Sequence, residues 1–356
     1  MTSISVVIPT LGKDMYLAYT LASLVRQTHR DFEVIVVNDG GDTSTADLVA
    51  PYREHFPLVY AEHPHGGRST ARNHGIRAAS GDRVVFVDDD RVASPDLLRR
   101  HAERPDDLVS IGWKRRAATV WRSGDMLAAK AADVAALEER FPGRFDGPIG
   151  DVRLIEPAAL IDDYAATVAL IDLGNDRDNH RNIVHMFTPE LTGFRLPWAL
   201  VTTGNLSVDR QALVDVGGFD EGYLGWGIED VDLGYRLHRH GLRTIVDTEA
   251  VNLHQLHPQG DSAAVLAVRR RGAESLRNTQ YFCRTHATLD AYLYWQYITR
   301  KHSLLEINQL LGELGAVRSP VVRAELLRLY ETTLPPGPRN ASAPPNLYCA
   351  AAPIGI

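Results

Sequence analysis

The chain has 356 residues, of which 44% are hydrophobic and 23% are charged, a composition that excludes a disordered or fibrous protein. Its 38 basic and 45 acidic side chains give a net charge of −7, so we expect no nucleic-acid partner. Two cysteines are too few for a disulfide framework, and no stretch approaches the roughly 18 apolar residues of a membrane span. The apolar N-terminal residues lack a basic region before them and predict a strand, not a signal peptide. We therefore expect a cytoplasmic enzyme or binding protein.

Short apolar strands alternate with helical repeats through the first hundred residues. The strands are predicted over residues 5–8, 32–37, 58–60 and 83–87. Helices are predicted over residues 17–25, 43–55 and 69–79, and again after Ser94. This alternation predicts a doubly wound α/β fold with a mostly parallel sheet, whose ligand site lies at the carboxyl ends of the strands.

The pattern is less regular after residue 120. We predict a helix over 123–141, a charged loop over 172–182, a strand over 201–208, a helix over 228–240 and a strand over 243–246. From residue 261 to about 331 the chain is mostly helical, which predicts a subdomain or lid. Prolines mark a tail over residues 334–356.

Asp39 stands at the tip of the second predicted strand, in the turn sequence Asn-Asp-Gly-Gly over residues 38–41. A carboxylate at a strand end can accept a hydrogen bond from a base or a ribose. The alternative is an Asx turn, in which the aspartate bonds its own backbone. Taken alone, the turn is the favoured interpretation.

Three carboxylates, Asp88, Asp89 and Asp90, follow the fourth predicted strand. Divalent cations such as Mg²⁺ or Mn²⁺ bind one or two carboxylates together with substrate phosphates. Like charges this close repel unless a positive group lies among them. The triplet therefore favours a metal–phosphate site over the alternative, a solvated strand end that caps the next helix.

A third segment contains Trp226 between two glycines, followed by Glu229 and Asp230 at the start of a predicted helix. A flat aromatic ring suits a sugar face, and an aspartate can act as a base for a hydroxyl. Acids are also favourable in any first helical turn, so a simple helix start is the alternative. Downstream, either His254 or His257 could ligate a metal, or both could be ordinary loop histidines.

Taken in order, these segments resemble the family-two glycosyltransferases, which have the GT-A fold. The motifs that carry the resemblance are Val6–Thr10, Val36–Gly40, Gly67–Gly75, Phe86–Asp90, Thr203–Asn205, Val216–Glu221 and Gly225–Asp230. They span residues 4 to about 257, roughly 70% of the chain. The stretch Trp-Gly-x-Glu-Asp also resembles the carboxyl half of galactosyltransferase-type enzymes.

The resemblance implies a role for each motif residue. Donor-binding positions are Pro9, Thr10, Asp39, Arg72, Asp88 and Asp89. Trp226 and Glu229 match acceptor contacts, and Asp230 matches the general base of an inverting enzyme. Asp90 and His254 match ligands of Mn²⁺ or Mg²⁺, with His257 as the fallback. The triplet leaves the register of the Asp-x-Asp metal motif open by one residue.

The function implied is a metal-dependent inverting transfer of a sugar from a nucleoside-diphosphate sugar, with uridine favoured, to a hydroxyl. The acceptor is a glycan, a peptide, a lipid-linked sugar or a small molecule, and peripheral docking on a membrane is left open. Residues 1–120 would form the nucleotide-sugar half and 121–258 the acceptor-binding and catalytic half. A helical subdomain or lid (259–333) and the tail (334–356) would follow.

Two other functions compete with this one. A non-catalytic sugar-nucleotide-binding protein would keep Asp39 but would not need Asp90, Asp230 and His254 together. A sugar nucleotidyltransferase would need a glycine-rich, basic phosphate loop near the N-terminus, and residues 9–13 supply only a poor version of one.

Overall fold

The computed structural model describes residues 2–41, 44–121, 131–145, 152–175, 180–257 and 264–315, with scattered positions from 319 to 328. These residues group into two units, the first within Met1–Thr192 and Pro197–Glu274 and the second within Gly193–Leu196 and Ser275–Ile356. Every residue that the sequence places in the site belongs to the first unit. The boundary between the units falls inside a long helix.

The strands of the described residues all lie in the first unit. They are β1 (Ile4–Thr10), β2 (Phe32–Asp39), β3 (Leu58–His63), β4 (Arg83–Phe86), β5 (Arg91–Ala93), β6 (Leu108–Ala117), β7 (Val120–Trp121), β8 (Val152–Arg153), β9 (Asp172–Asn175), β10 (Leu206–Asp209) and β11 (Arg243–Gln255).

Helices separate most of these strands. They are α1 (Asp14–Leu24), α2 (Ser44–Val49), α3 (Arg68–Ala78), α4 (Leu97–Ala102), α5 (Ala131–Arg140), α6 (Pro157–Asp162), α7 (Tyr164–Ile171), α8 (His180–Phe187), α9 (Arg210–Asp215), α10 (Glu229–Arg239), α11 (Ala264–His286), α12 (Leu289–Ile298) and α13 (Leu304–Gly315). Short 3₁₀ helices cover Ala50–Glu54, Pro197–Leu200 and Thr203–Asn205.

One sheet organises the first unit, in the order β3-β2-β1-β4-β10-β6-β11-β5, with β9 on β6. The first four strands are parallel, and β6 is parallel to β11. Strand β10 is antiparallel to both of its neighbours, and β5 is antiparallel to β11. The predicted mostly parallel α/β sheet is confirmed, with an antiparallel strand at its centre.

The burial of apolar side chains on both faces of the sheet explains why both faces are covered. The apolar side chains of β1 and β2 are almost wholly buried, and three leucines of α1, Leu17, Leu21 and Leu24, pack against one set of them. Helix α3 approaches β1 so closely that a side chain on Gly75 would collide with Val7. Strands buried on both faces are typical of parallel sheets, so a continuous apolar run was the correct signal.

The structure corrects the predicted loop over residues 172–182. Asp172–Asn175 form the edge strand β9, and helix α8 begins at His180. The charged sequence is compatible with a strand because Asp172 accepts a hydrogen bond from the Nε of Arg115 on the adjacent strand, at 2.8 Å. Residues 176–179 lie outside the described part of the chain.

The predicted strand over residues 201–208 is also shorter in the structure, because it begins only at Leu206. Thr203–Asn205 form a 3₁₀ turn in which the buried Asn205 donates from Nδ2 to the carbonyl of Ala250, at 2.8 Å. Its Oδ1 lies 2.9 Å from Nε2 of His101. A buried amide bonded on both sides fixes a turn that strand-like flanking residues do not reveal.

Two further predictions fall partly or wholly outside the described residues. Of the predicted helix over 123–141, the structure shows α5 from Ala131 to Arg140, and residues 122–130 lie outside the description. The prolines of residues 334–356 and Cys349 lie outside it as well. Among the helices that are described, none is long and apolar enough to cross a bilayer.

In the second unit, the described residues after 274 are mostly helical, as the sequence predicts for this region. This unit contains the end of α11, then α12 and α13, with Phe282 and Leu293 fully buried. The thiol of Cys283 donates to the carbonyl of Ala291 at 3.2 Å, and burial raises the pKa of Cys283 to about 12. A thiol that stays protonated is not a nucleophile, so Cys283 has a packing role.

The packing of α3 on β1 gives a stability prediction. Gly75→Ala places a methyl group 2.3 Å from Cγ1 of Val7, whereas Gly272→Ala on α11 meets nothing within 4 Å. Both variants gain the same helix propensity, so the difference between them isolates the steric cost. We expect Gly75→Ala to be less stable than Gly272→Ala by about 1–3 kcal/mol in denaturant unfolding. Equal stabilities would show that α3 shifts away from the sheet without cost.

Candidate active site

The carboxyl ends of β1, β2 and β4 meet at one edge of the sheet, which brings the predicted donor residues together. Thr10, at the end of β1, is in register with Asn38 on β2, and Pro9 precedes it in the same strand. The hydroxyl of Thr10 donates to Oδ2 of Asp89 at 2.9 Å. The parallel arrangement thus joins two motifs that are 79 positions apart in the chain.

Lys13 is a charged member of this edge that the sequence analysis did not place in the site. Its ammonium lies 2.6 Å from Oδ2 of Asp90 and 3.2 Å from Oδ1 of Asp89. Burial disfavours the charged amine, but the two carboxylates outweigh it and raise the pKa of Lys13 above its ordinary value. The repulsion within the acidic triplet required a cation, but spacing could not show which one, because Lys13 lies 77 positions from Asp90.

The pairing of β5 with β11 brings the two histidines to the triplet. His254 is in register with Arg91, and the backbone N–H of Gln255 donates to the carbonyl of Asp90 at 2.9 Å. Nε2 of His257 lies 2.9 Å from Oδ2 of Asp90, and Nε2 of His254 lies 3.7 Å from the same atom. Both candidate histidines therefore lie close to Asp90, whereas the resemblance assigned His254 as the ligand and His257 as the fallback.

Asp90, His254 and His257 form a cluster that fits a divalent cation. One potential ligand atom from each residue lies within 4.8 Å of the others, and Asp90 and His257 are buried. Oδ1 of Asp90 is buried and accepts no hydrogen bond from the described residues, although Nε of Arg91 is 3.4 Å away. A carboxylate with two imidazoles suits Mn²⁺ better than Mg²⁺, which prefers oxygen ligands.

Burial opposes ionisation of Asp90, but Lys13 and the histidines outweigh it and hold the pKa of this carboxyl well below its usual range. Asp90 is therefore ionised at neutral pH, as a metal ligand must be.

Arg72 connects the acidic triplet to helix α10. This buried guanidinium donates to Oδ1 of Asp88 at 3.2 Å and to Oε1 of Glu229 at 3.1 Å. It also lies over the ring of Phe219, 5.5 Å from the ring centroid. Asp88 has a second cationic neighbour, because NH2 of Arg91 is 3.7 Å from its Oδ2. Arg72 and Glu229 thus lie in one buried network beneath the predicted donor and acceptor sites.

Asp39 does not form the Asx turn that its local sequence, taken alone, favoured. The side chain of Asn38 holds this turn instead, because its Oδ1 accepts from the backbone N–H of Gly41, three residues on, at 2.8 Å. The carboxylate of Asp39 accepts from the backbone N–H groups of Gly66 at 2.8 Å and Gly67 at 3.0 Å, and lies 2.9 Å from Nδ1 of His65. Asp39 therefore fixes the loop that leads into helix α3.

A cavity of about 270 Å³ opens beside this turn, at the ends of β2 and β3. Its lining residues are Asn38, Gly40, Gly41, Glu62, His63 and Pro64. Three of these residues belong to the turn at the end of β2, on both sides of Asp39, and the other three lie at the end of β3 and just after it.

Asp230 occupies the first turn of α10, after a sharply turned loop. Gly225, Gly227 and the buried Ile228 all have positive φ, at 77°, 90° and 80°. A positive φ at a β-branched residue costs free energy and is found where the surrounding structure enforces it, often at functional sites. The loop delivers the helix N-terminus, with Asp230, to the network of Arg72.

The protonation of Asp230 differs from that of an ordinary carboxyl. Burial and the neighbouring Glu229 raise the pKa of Asp230 to about 7, and Arg72 and Lys114 offset only part of this rise. A carboxyl with a pKa near neutrality is suited to accept a proton from a substrate hydroxyl. By contrast, the nearby Asp232 is bonded to the hydroxyl of Tyr223 and to Nε of Arg236, so it stabilises the helix.

Trp226 lies at the surface of the same loop, with 42% of its area exposed. Its backbone N–H donates to Oε2 of Glu274 at 3.1 Å, and the guanidinium of Arg271 lies 6.0 Å from its ring centroid. The loop thus exposes an aromatic ring four residues before Asp230, and the contact of this ring with an acceptor stays a prediction.

Comparisons with known proteins agree with the order of these motifs. The family model for glycosyl transferase family 2 matches residues 5–122. The model for the N-terminal domain of galactosyltransferase matches residues 184–255, so both halves of the resemblance are confirmed. The first model covers β1 to β7 with the acidic triplet, and the second covers β10 and β11 with Asp230 and His254.

Curated relatives match across both halves. Validoxylamine A glucosyltransferase of Streptomyces hygroscopicus subsp. limoneus is 30% identical over 306 residues, 83% of this chain and 60% of the relative. Glycosyltransferase YfnE of Bacillus subtilis is 31% identical over 262 residues, 71% of this chain and 65% of the relative. The chain thus spans less than two thirds of the length of these relatives.

The fold is shared with a solved structure. A mannosyltransferase from Pyrobaculum calidifontis, in complex with GDP-Man and Mn²⁺, superimposes with a TM-score of 0.50 at 16% identity. The superposition covers 93% of this chain and 80% of that protein, and it confirms the GT-A architecture. The two family models and the curated relatives show that the chain belongs to glycosyl transferase family 2, with a galactosyltransferase-type carboxyl half.

Proposed function

We propose that the protein is a metal-dependent inverting glycosyltransferase that moves a sugar from a nucleoside-diphosphate sugar, with uridine favoured, to a hydroxyl acceptor. One observation carries this proposal: a largely buried carboxylate–dihistidine cluster and a carboxyl group with a pKa near 7 lie in one network, in which Arg72 bonds Asp88 beside the cluster and Glu229 beside Asp230. The relative named as a glucosyltransferase supports sugar transfer. The mannosyltransferase bound to GDP-Man and Mn²⁺ shares the fold in which that chemistry would occur.

Asp90, His254 and His257 would hold the cation, and Asp39 and Thr10 lie where the nucleoside would bind. When bound, Mn²⁺ supplies positive charge that neutralises the leaving diphosphate. Asp230 accepts the proton of the acceptor hydroxyl, and the hydroxyl oxygen attacks the anomeric carbon opposite the leaving group. The bond from that carbon to the diphosphate oxygen breaks in the same displacement, so the configuration is inverted.

The two competing functions explain less of the site. A binding protein without catalysis has no use for a carboxyl whose pKa is raised to about 7 by burial beside Glu229. A nucleotidyltransferase would need Lys13 for phosphate, but its ammonium is held between Asp89 and Asp90.

A screen of uridine, guanosine and thymidine diphosphate sugars for hydrolysis by water tests the class of reaction without a known acceptor. In a parallel reaction with added pyrophosphate, formation of a nucleoside triphosphate and a sugar 1-phosphate, instead of a nucleoside diphosphate and free sugar, would favour the nucleotidyltransferase.

The metal cluster predicts that both histidines matter. His254→Ala and His257→Ala should each weaken Mn²⁺ binding at least tenfold in calorimetry, because each removes a ligand next to Asp90. Asp90→Asn should weaken it further and should abolish the stimulation of donor hydrolysis by Mn²⁺. The control is His302→Ala, at an exposed position of the second unit. Unchanged Mn²⁺ affinity in both site variants would make the two histidines structural partners of Asp90.

The position of Asp39 predicts selectivity between uracil and cytosine. The N3 atom of uracil is a donor and that of cytosine is an acceptor, so a carboxylate favours UDP over CDP. Asp39→Asn should reduce the preference for UDP about tenfold or more, since a hydrogen bond to a charged group contributes about 1.5–3 kcal/mol. Asp39 also holds the loop at Gly66 and Gly67, and loosening that loop would weaken both nucleotides equally. An unchanged UDP-to-CDP ratio would therefore remove Asp39 from base recognition.

The raised pKa of Asp230 predicts both a rate loss and a pH effect. Asp230→Asn should lower the rate of donor hydrolysis about 10²–10⁴-fold while leaving UDP and Mn²⁺ affinity unchanged. The wild-type rate should rise with pH through about 7, where the folded carboxyl ionises, and the variant should lack this limb.

A stability measurement separates this effect from misfolding. The folded pKa of Asp230 lies above the unfolded value, so wild-type stability is lost as pH rises towards 7. Asp230→Asn should thus be more stable than wild type at pH 8 but not at pH 4. A product with the donor's own anomeric configuration would exclude the single displacement and, with it, Asp230 as the base.

A further inference from the structure

Two arginines from separate elements converge on the loop that carries Trp226. NH1 of Arg68, the first residue of α3, donates to the carbonyl of Gly225 at 3.3 Å. The guanidinium of Arg271, on α11, lies over the ring of Trp226. The two cations thus contact consecutive residues of one loop. Burial and the charge of Arg68 lower the pKa of Arg271, and Glu274 opposes this shift. Like charges held together in this way favour the binding of an anion between them.

The carboxylate next to the two arginines neutralises them only in part. Oε1 of Glu274 accepts from Nε of Arg270 at 2.8 Å, and its Oε2 accepts from the backbone N–H of Trp226 at 3.1 Å. Among the described residues, neither Arg68 nor Arg271 lies within ion-pair distance of a carboxylate. The patch of Arg68, Arg270, Arg271 and Glu274 thus holds three guanidinium groups and one carboxylate beside the same loop.

The patch lies on the side of Asp230 where the acceptor is expected. Arg68 and Arg72 are four residues apart on α3, so they share one face of that helix about 6 Å apart along its axis. Arg72 bonds Glu229, the neighbour of Asp230, and Arg68 bonds the loop four residues before Glu229. An anion at Arg68 would therefore lie one helical turn beyond the network that holds the base.

The loop presents these groups in a fixed arrangement. A side chain on Gly225 would meet the carboxylate of Glu274 at 2.7–3.0 Å, so the backbone approaches α11 as closely as glycine permits. The positive φ angles of Gly227 and Ile228 then turn the chain into α10. Preorganised groups lose little entropy when a ligand binds, which favours recognition by few contacts.

We propose that Arg68, Arg271 and the ring of Trp226 form a subsite for an anionic acceptor, one that carries a phosphate or carboxylate group near the hydroxyl that receives the sugar. The inference rests on the proposed function, because it names the acceptor class for the same site. Guanidinium groups bind the oxygens of phosphate and carboxylate in a planar, charge-assisted geometry. The half-exposed indole supplies a flat face for the carbon skeleton of the acceptor.

Matched charged and neutral probes test the subsite by calorimetry, with the protein saturated in UDP and Mn²⁺. Glycerol 3-phosphate is compared with glycerol, and glucuronate with glucose, so the two pairs distinguish phosphate from carboxylate. We expect one charged probe to bind at least tenfold more tightly than its neutral partner. Arg68→Gln and Arg271→Gln should each remove most of that advantage, since a charge-assisted hydrogen bond is worth about tenfold or more.

Arg77→Gln is the matched control, because Arg77 is an exposed arginine at the other end of α3 and its loss changes the net charge equally. This control should bind the charged probe as wild type does, and Arg271→Lys should retain part of the affinity. Unchanged Mn²⁺ affinity in Arg68→Gln and Arg271→Gln shows that the fold is intact. A loss of probe affinity in Arg77→Gln equal to that in Arg68→Gln would reduce the effect to net charge and overturn the subsite.

Two further outcomes separate the subsite from the proposed function. Equal affinity for charged and neutral probes overturns the subsite, whatever the donor assays show. Binding of the charged probe that UDP abolishes would place the arginines at the donor phosphates and also overturn it. If the protein neither binds UDP nor hydrolyses any donor, but the probes alone still bind through Arg68 and Arg271, the transferase assignment fails and the anion site is supported.

Discussion

Three adjacent carboxylates at the end of one buried strand are the constraint on which the site depends. Their mutual repulsion, in a partly buried edge, must be offset by cations from other parts of the chain. Lys13 supplies positive charge to Asp89 and Asp90 from the loop after β1, and Arg72 supplies it to Asp88 from α3. Each of these ion pairs ties a separate element to the same edge. The electrostatic requirement of the triplet therefore also organises the site.

The same requirement connects the predicted metal centre with the predicted base. Arg72 has a carboxylate on each side, Asp88 from the triplet and Glu229 from α10. If Arg72 were absent, Glu229 would be a buried charge without its partner, and removing one partner of a buried pair is strongly destabilising. Glu229 in turn raises the pKa of Asp230. Arg72 lowers the same pKa, so the protonation of Asp230 depends on both members of the Arg72–Glu229 ion pair.

Local sequence patterns predicted the parts of this arrangement that depend on nearby residues. Continuous apolar runs were sufficient to predict the strands β1, β2 and β4. The glycine after α10 was sufficient to predict where that helix ends. The predicted strand over residues 243–246 was too short, since β11 continues to Gln255. An irregularity between Asp247 and Val251 interrupts its pairing with β6, and the side chain of Asp247 bonds the backbone N–H groups of Glu249 and Ala250 there.

That irregularity is the reason why the sequence left His254 and His257 as alternative ligands in the predicted metal site. The irregularity makes the continuation of the strand unrecognisable from sequence, so the sequence analysis places His254 and His257 in a loop. In a loop, it is reasonable to expect that one histidine is a ligand and the other a surface residue. In the structure, His254 is in register with β5, and His257 follows two residues after the strand ends. Both reach Asp90 from more than 160 positions away. Contacts at such separation depend on the sheet order, which no local motif encodes.

Helix α3 shows how one element can serve both predicted substrates. Its entry loop is held by Asp39, through the N–H groups of Gly66 and Gly67, at the end where a base would bind. Its first residue, Arg68, contacts the loop of Trp226, and Arg72, one turn later, joins the triplet to α10. A shift of this helix along its axis would change all three contacts together. Because Gly75 packs against Val7 with no room for a methyl group, such a shift is opposed by the core of the sheet. The tight packing at Gly75, where α3 packs against the core of the sheet, therefore fixes the positions of Arg68 and Arg72 at the site.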